Sequence, residues 1–287
     1  MKVAVIGAGR VGTAVAVLLE RAGHRLVGVS GRGETRGRAN AHLPGVPVLE
    51  PAAAAAAAEL VVIGTPDDVI EPMVRALAAE AALEPGAWVM HLSGSVGLEA
   101  LRAALDAGAR RLALHPLQTF PDVGAALDGL AGCWVAVTAD DDEGARLGER
   151  LAHDLDTVPF RLADELRPLY HAGAVFASNA LVTVSAIAES LLATAGVPDP
   201  RAAMAPLQRA SLAHLEELGP ARALTGPAVR GDVGTIRRNL EALRQHAPEL
   251  VSMYVALSRS AIDLAAGSGR VPPASRAAVE DVLAEWT

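Results

Sequence analysis

The sequence predicts an α/β chain, a doubly wound and mainly parallel sheet over residues 1–161 followed by an all-helical part over 162–287. Three observations predict it. Short apolar runs alternate with stretches of helical periodicity as far as about residue 161, as expected of a sheet covered on both faces. A glycine-rich turn joins the first strand to the first helix. Beyond residue 162 the helical period continues and no convincing strand returns.

The elements follow in order. "KVAVIG" (2–7) is a β-branched strand stopped by glycine, and "RVGTAVAVLLERAG" is a helix ending at Gly23, a natural C-cap. "HRLVGVS" is the second strand. The alanine run 52–58 follows Glu50-Pro51, a helix start. "LVVIGTP" (60–66) is the third strand, and "DDVIEPMVRALAAEAAL" a helix with Asp67 and Asp68 at its positive end. "GAWVMHLSG" and "RRLALHP" are strands separated by the helical "GLEALRAALDAG". "GCWVAVTA" and "TVPFRL" complete the sheet, with the helix "DDEGARLGERLAHDL" between them. In the second part "ELRPLYHAGAVFASNALVTVSAIAESLLATAG" is one long helix. It is apolar on most faces, so its expected place is central, inside its own domain or across a dimer interface. Further helices are expected near 200–218, 232–246, 248–266 and 274–286.

Composition narrows the function. A formal charge of −8 and 3% aromatic residues argue against a nucleic-acid binder, which needs a basic footprint and stacking platforms. The single cysteine, Cys133, reads as a small packing residue, and nothing near it suggests a zinc site. No unbroken apolar run approaches the roughly 18–20 residues of a membrane span, and glycines interrupt the N-terminus too soon for a signal peptide. A soluble, cytoplasmic protein with no membrane partner is the expectation.

Gly7-Ala8-Gly9-Arg10-Val11-Gly12 matches G-x-G-x-x-G between a strand and a helix, the context that makes the pattern informative. Gly7 permits the tight turn, Gly9 lets backbone approach a pyrophosphate, and Gly12 lets helix and strand pack closely. The helix N-terminus then offers N–H groups and a positive dipole end to phosphates. The second strand ends Val29-Ser30-Gly31-Arg32, with Arg36 and Arg38 beyond it and no acid at its tip. A hydroxyl followed by guanidinium groups suits the 2′-phosphate of NADP; the plainer alternative is a solvated basic loop. Gly64, Thr65 and Pro66, after the third strand, are expected near the cofactor ribose, while Asp67 and Asp68 serve as helix-start residues.

Ser93 and His115 each follow an apolar run and are expected at carboxyl strand ends, where ligands bind. Gln118 and Thr119 lie just beyond. His115 has the pKa range to donate a proton to a carbonyl, or it simply bonds backbone at a strand end. His171 and Asn179 lie on the long helix, about 80° apart around its axis and roughly 12 Å along it. Such spacing lets them flank one cavity, or lets Asn179 bond another helix. In "LTGPAVRGD", glycines bracket Arg230, which suits a substrate carboxylate, while Asp232 caps the next helix or orients Arg230.

"GAGRVG", "HPLQTF", "YHAGAVFASN" and "LTGPAVRGD" together resemble bacterial proteins that join a Rossmann-like domain to a C-terminal helical domain of unknown function, known as NADP oxidoreductases of the deazaflavin-dependent type. More distantly the chain is similar to β-hydroxyacid dehydrogenases, ketopantoate reductases, pyrroline-5-carboxylate reductases and prephenate dehydrogenases. The resemblance implies a cofactor cleft between the domains, NADP as cofactor and a homodimer formed through the helical part. It implies an NADPH-dependent reductase of a small oxo acid, ketopantoate among them, with Asn179 polarising the carbonyl and Arg230 holding the carboxylate. A cyclic-imine or deazaflavin-linked reductase and a non-catalytic NADP-binding regulatory or scaffold protein are the alternatives. The chain departs from the Lys-x-x-x-Asn of the β-hydroxyacid dehydrogenases, because Val175 stands where the lysine would be. No lysine follows Lys2 at all. His115 and His171 are therefore the expected proton donors.

Overall fold

The computed structural model describes residues 1–286. Seven strands, β1 (Lys2–Ile6), β2 (Arg25–Ser30), β3 (Leu60–Ile63), β4 (Trp88–His91), β5 (Arg110–Pro116), β6 (Trp134–Ala139) and β7 (Val158–Arg161), form one sheet in the order β2-β1-β3-β4-β5-β6-β7. Neighbours are parallel except β5 and β6. The doubly wound, mainly parallel sheet expected from the sequence is present. The strands read as continuous apolar runs because each face is buried. Val3, Val5, Leu60, Val62 and Met90 pack on one side, and Ala4, Ile6, Val61, Ile63 and Val89 on the other. Chain order reverses at β1, which has β2 on one side and β3 on the other. That reversal opens a crevice at the carboxyl ends of the strands.

The helices of this part are α1 (Arg10–Arg21), α2 (Thr35–His42), α3 (Pro51–Ala55), α4 (Asp67–Ala79), α5 (Arg102–Asp106), α6 (Val123–Leu130) and α7 (Asp142–Asp154). Two of them were not foreseen. In α2 only Thr35 and Ala39 are buried, too few for a visible hydrophobic period. In α6 the start is set by Asp122, whose carboxylate accepts from Ala125 N at 2.8 Å. His24 pairs with Asp154 at 3.0 Å with its side chain 11% exposed, tying the end of α1 to the end of α7. Cys133 packs beside the core and burial raises its thiol pKa, as suits a packing residue.

The first compact unit runs to Ala180, beyond the boundary at 161 that the loss of strands suggested. The reason is α8 (Arg167–Val175), which is anchored to the sheet by the fully buried Arg167. Arg167 Nε donates to Val96 O (2.7 Å), Nη1 to Thr138 Oγ1 (2.9 Å) and Nη2 to Ser93 O.

A π-helical turn, Phe176–Ala180, follows, and then α9 (Leu181–Thr194). The helix spanning 164–194 corrects one expectation and leaves only the dimer-interface alternative of another. Its mean hydropathy reaches 1.6, so it is long and apolar enough to cross a membrane by composition, although polar residues break every apolar run within it. It is also not buried within this chain; Leu169, Phe176 and Val182 are 71%, 76% and 67% exposed.

The second unit contains α9, α10 (Pro200–Leu218), α11 (Pro220–Ala223), α12 (Pro227–Arg230), α13 (Val233–His246), α14 (Val251–Gly267) and α15 (Pro273–Ala284). No strand occurs among its described residues. Its core joins Ile236 and Leu240 to Val255, Ile262, Val279 and Leu283.

Candidate active site

The glycine turn has the backbone geometry its spacing predicts. Gly7 adopts φ +91°, and the N–H groups of Gly7 and Ala8 donate to Ser30 O at 2.8 and 2.9 Å, clamping the turn to the end of β2. A Cβ on Gly12 would lie 2.4 Å from Gly7 O, and one on Gly64 2.8 Å from the same oxygen. Gly7, Gly12 and Gly64 thus pack backbone against backbone. Gly9 is different, because a Cβ there would meet nothing nearer than 4.0 Å. Open space above Gly9, at the start of a helix with no acidic residue in its first turn, is a cradle that fits a pyrophosphate. Arg10 and Val11 begin that helix, and Arg10 is exposed. Beyond β3, Thr65 Oγ1 is buried without a hydrogen-bond partner, and Pro66 precedes α4. An orphaned hydroxyl beside Gly64 also fits a bound polar ligand.

At the tip of β2, Ser30 is buried and Arg32 is exposed, its guanidinium making no hydrogen bond or ion pair among the described residues. Arg36 is exposed as well. Arg38 behaves otherwise. Its Nε donates to Ala8 O at 3.1 Å and its Nη2 to Thr35 Oγ1 at 3.4 Å, and Thr35 in turn donates to Arg32 O at 2.9 Å. The structure therefore separates the arginines: Arg32 is free to meet an anion, while Arg38 braces the glycine turn.

Beyond β4 and β5, two imidazoles meet. A Cβ on Gly94 would lie 2.7 Å from His115 Nε2 and 2.7 Å from His171 Nδ1. His171 Nδ1 is buried and has no hydrogen-bond partner. On its far side His115 Nδ1 is 2.9 Å from Tyr170 Oη, and Tyr170 stacks edgewise on Phe160 with ring centroids 5.8 Å apart. The two histidine rings are nearly perpendicular, 6.1 Å between centroids. They line a cavity of about 450 Å³ together with Gln118, Thr119, Ser178 and Asn179. The π-helical turn explains how His171 and Asn179 reach one cavity. It underwinds the helix over 176–180 and so reduces the 80° offset of a regular α-helix.

Burial, then Arg167, then His171 push the His115 pKa down to about 4, against a weak opposing pull from Asp67. Burial raises Tyr170 to about 12. Near neutral pH both groups are therefore uncharged.

Ser93 serves the local backbone. Its Oγ accepts from Ser95 N (3.2 Å) and Val96 N (3.1 Å), and its carbonyl accepts from Arg167. Those bonds shape the turn that presents Gly94. Ser95 Oγ also donates to Asp67 at 2.8 Å, so Asp67 links the loops after β3 and β4 besides starting a helix.

In the second unit, Arg230 ends α12 and is exposed. The choice left open for Asp232 resolves toward capping, because its carboxylate accepts from Thr235 N at 3.0 Å and Thr235 Oγ1 at 2.8 Å. These bonds hold its pKa below the usual carboxylate range.

Sequence reasoning missed Gly94, Arg167, Tyr170 and the buried His91. Tyr170 adjoins His171 in "YHAGAVFASN", and Arg167 opens an apolar helix, so both were marked by position. Nothing in the sequence marks Gly94 apart from neighbouring glycines.

Residues 1–116 match a Rossmann-like domain, and residues 133–261 match the domain of unknown function DUF2520. No match to a curated protein was found. Among solved structures the chain is similar to a Bacteroides fragilis protein provisionally named an NADP oxidoreductase. The identity is 26%, covering 91% of this chain and 98% of that one, with a TM-score of 0.75. It also shares its fold with an Aspergillus terreus reductive aminase solved with NADPH and ethyl levulinate (19% identity, 98% of each chain, TM-score 0.65). The same holds for a Myxococcus stipitatus imine reductase solved with NADP+ (17% identity, 100% and 99% coverage, TM-score 0.64).

Proposed function

We propose that this chain, a Rossmann-like domain joined to a DUF2520 domain, is an NADPH-dependent reductase of a small carbonyl or imine compound. The observation that carries this reading is the convergence of His115 and His171 on Gly94, at the carboxyl edge of the same sheet whose first turn forms the open glycine cradle. Gly7, Gly9, Arg10, Val11 and Gly12 hold the pyrophosphate, Arg32 and Ser30 the 2′-phosphate, and Gly64, Thr65 and Pro66 border the ribose. The cofactor supplies a hydride. The residues lining the cavity orient the acceptor, and the cavity walls exclude water from it.

The preferred substrate class is a small 2-oxo acid, ketopantoate being the first to test. Asn179 bonds the carbonyl, and Arg230 is assigned to the carboxylate. A second reading, reduction of a cyclic imine, draws on the cavity itself, whose walls carry no Arg, Lys, Asp or Glu. Such a lining suits an uncharged acceptor. A homodimer covering the apolar helix and a cytoplasmic location complete the proposal. NADPH consumption against a panel of 2-oxo acids and cyclic imines tests it. Turnover of ketopantoate that Arg230→Ala removes supports the first reading, and turnover of imines alone supports the second. Tight NADPH binding with no turnover of any compound would leave a non-catalytic sensor or scaffold.

A further inference from the structure

We propose that Tyr170 is the proton source of this site and acts through the neutral ring of His115, delivering to an acceptor atom held in the cavity that both residues line. This rests on the reductase reading above. Tyr170 Oη is 2.9 Å from His115 Nδ1, which leaves the opposite nitrogen, Nε2, to meet an acceptor in the cavity that His115 lines. His171 Nδ1 is closed off against Gly94 and has no hydrogen-bond partner among the described residues. His115 and Tyr170 both line the cavity of about 450 Å³, so an acceptor held there lies beside the ring that Tyr170 bonds.

The charge state of His115 follows from what faces it. Tyr170, Arg167 and His171 approach from α8, His91 from β4 and Asp67 from the start of α4. Only Asp67 favours the charged ring, and burial opposes it. An imidazolium donor would therefore be scarce at neutral pH. A neutral imidazole can still give up its Nε2 hydrogen if Nδ1 gains one in the same event. Tyr170 is the hydroxyl bonded to that Nδ1.

The step balances as follows. A dihydronicotinamide supplies hydride to the acceptor carbon, and the π pair of the double bond moves onto the acceptor oxygen. That oxygen forms its O–H bond with the hydrogen of His115 Nε2. Nδ1 simultaneously forms an N–H bond with the phenolic hydrogen, and the O–H pair remains on Tyr170 as phenolate. An alkoxide is a far stronger base than a phenolate, so the transfer runs downhill even though burial raises Tyr170 to about 12. The ring resets when Nδ1 returns its proton to Tyr170 and Nε2 takes one from water.

Two measurements test the relay. In the free protein, imidazole ¹⁵N NMR should show His115 neutral at neutral pH with hydrogen on Nε2, and Tyr170→Phe should shift it toward the other tautomer. A wild-type ring carrying hydrogen on Nδ1 overturns the proposal. In turnover, Tyr170→Phe and His115→Gln should each lower kcat by about 10²-fold or more with little change in KM. The double variant should be no worse than either alone, because the two residues act as one unit. The wild-type profile should stay flat from about pH 5 to about pH 9, whereas a tenfold fall per unit above neutral would identify an imidazolium donor and overturn the relay. Phenylalanine keeps the packing against Phe160, and a thermal melt checks that. If no compound turns over, the reductase reading fails, while the tautomer measurement still decides how Tyr170 and His115 are coupled.

Discussion

His171 Nδ1 lies 2.7 Å from the point where Gly94 would carry a Cβ, and His115 Nε2 lies equally close. A methyl group at residue 94 must push both rings away. Those rings are the ends of side chains, so the fold can yield without large strain. Gly94→Ala should therefore keep NADPH affinity and most of its stability, yet lose at least tenfold in kcat, because displaced imidazoles no longer meet the acceptor. Steady-state kinetics beside a cofactor titration checks this, and an unchanged kcat would show that the two rings take no part.

Arg167 is the bolt beneath that arrangement. Its three bonds, to Ser93 O, Val96 O and Thr138 Oγ1, fix the loop carrying Gly94 against the helix carrying Tyr170 and His171. Arg167→Met removes all three and strands buried acceptors. A loss of about 2–4 kcal/mol in urea unfolding is expected. The same change lifts a positive charge from beside His115, so its pKa should rise toward the ordinary range, which NMR titration can follow.

Acid should destabilise the protein through two histidines. Burial, followed by Arg167, lowers His91 to about 3, while burial, Arg167 and His171 lower His115 to about 4. Above the unfolded value near 6.5 both states are neutral and neither residue affects stability. As pH falls below 6.5 the unfolded chain takes up protons that the folded chain refuses, so stability is lost from there down to about pH 4 and beyond. The slope reaches roughly 1.4 kcal/mol per pH unit for each residue. Melting temperatures of wild type, His91→Gln and His115→Gln across that range test it. Each substitution should flatten the acid limb, and parallel curves would contradict the assignment.

What was legible in the sequence followed from local rules. Strands apolar on both faces, the glycine spacing and the tip of β2 all announce themselves within a few residues. His115 and His171 were visible as polar residues interrupting apolar runs. Their meeting was not, because it depends on a long-range contact over Gly94 and on Arg167 reaching from α8 to the loop after β4 and to β6. The span to 194 was misjudged for a related reason. Ser178, Asn179 and Ser185 break every apolar run without lowering the average much, and period alone cannot say that a helix stays uncovered in its own chain.

Arg32 and Arg38 should separate by cofactor. Arg32 is free at the tip of β2, so Arg32→Glu should weaken NADPH far more than NADH. Arg38 instead bonds Ala8 O within the glycine turn. Its loss should loosen the cradle for both cofactors, and Arg38→Met should weaken NADPH and NADH by similar factors. Fluorescence titrations with each cofactor read this directly. Equal effects from Arg32→Glu would move the 2′-phosphate elsewhere.

Leu169 and Phe176, seven residues apart and so on one helix face, are among the most exposed large apolar side chains of the chain. Water is a poor neighbour for them, since burying such a side chain is worth about 1.5–3 kcal/mol. We assign the cover to a second copy rather than to lipid, because Ser178, Asn179, Ser185 and Glu189 punctuate the helix at intervals that a bilayer interior would penalise. A two-fold interface repeats each contact, so a single charge is felt twice. Light scattering should find wild type dimeric and Phe176→Glu monomeric, with the melting temperature of the variant lowered and dependent on concentration no longer. Flotation of wild type with anionic or neutral vesicles, together with a monomer in their absence, would assign the helix to a membrane instead.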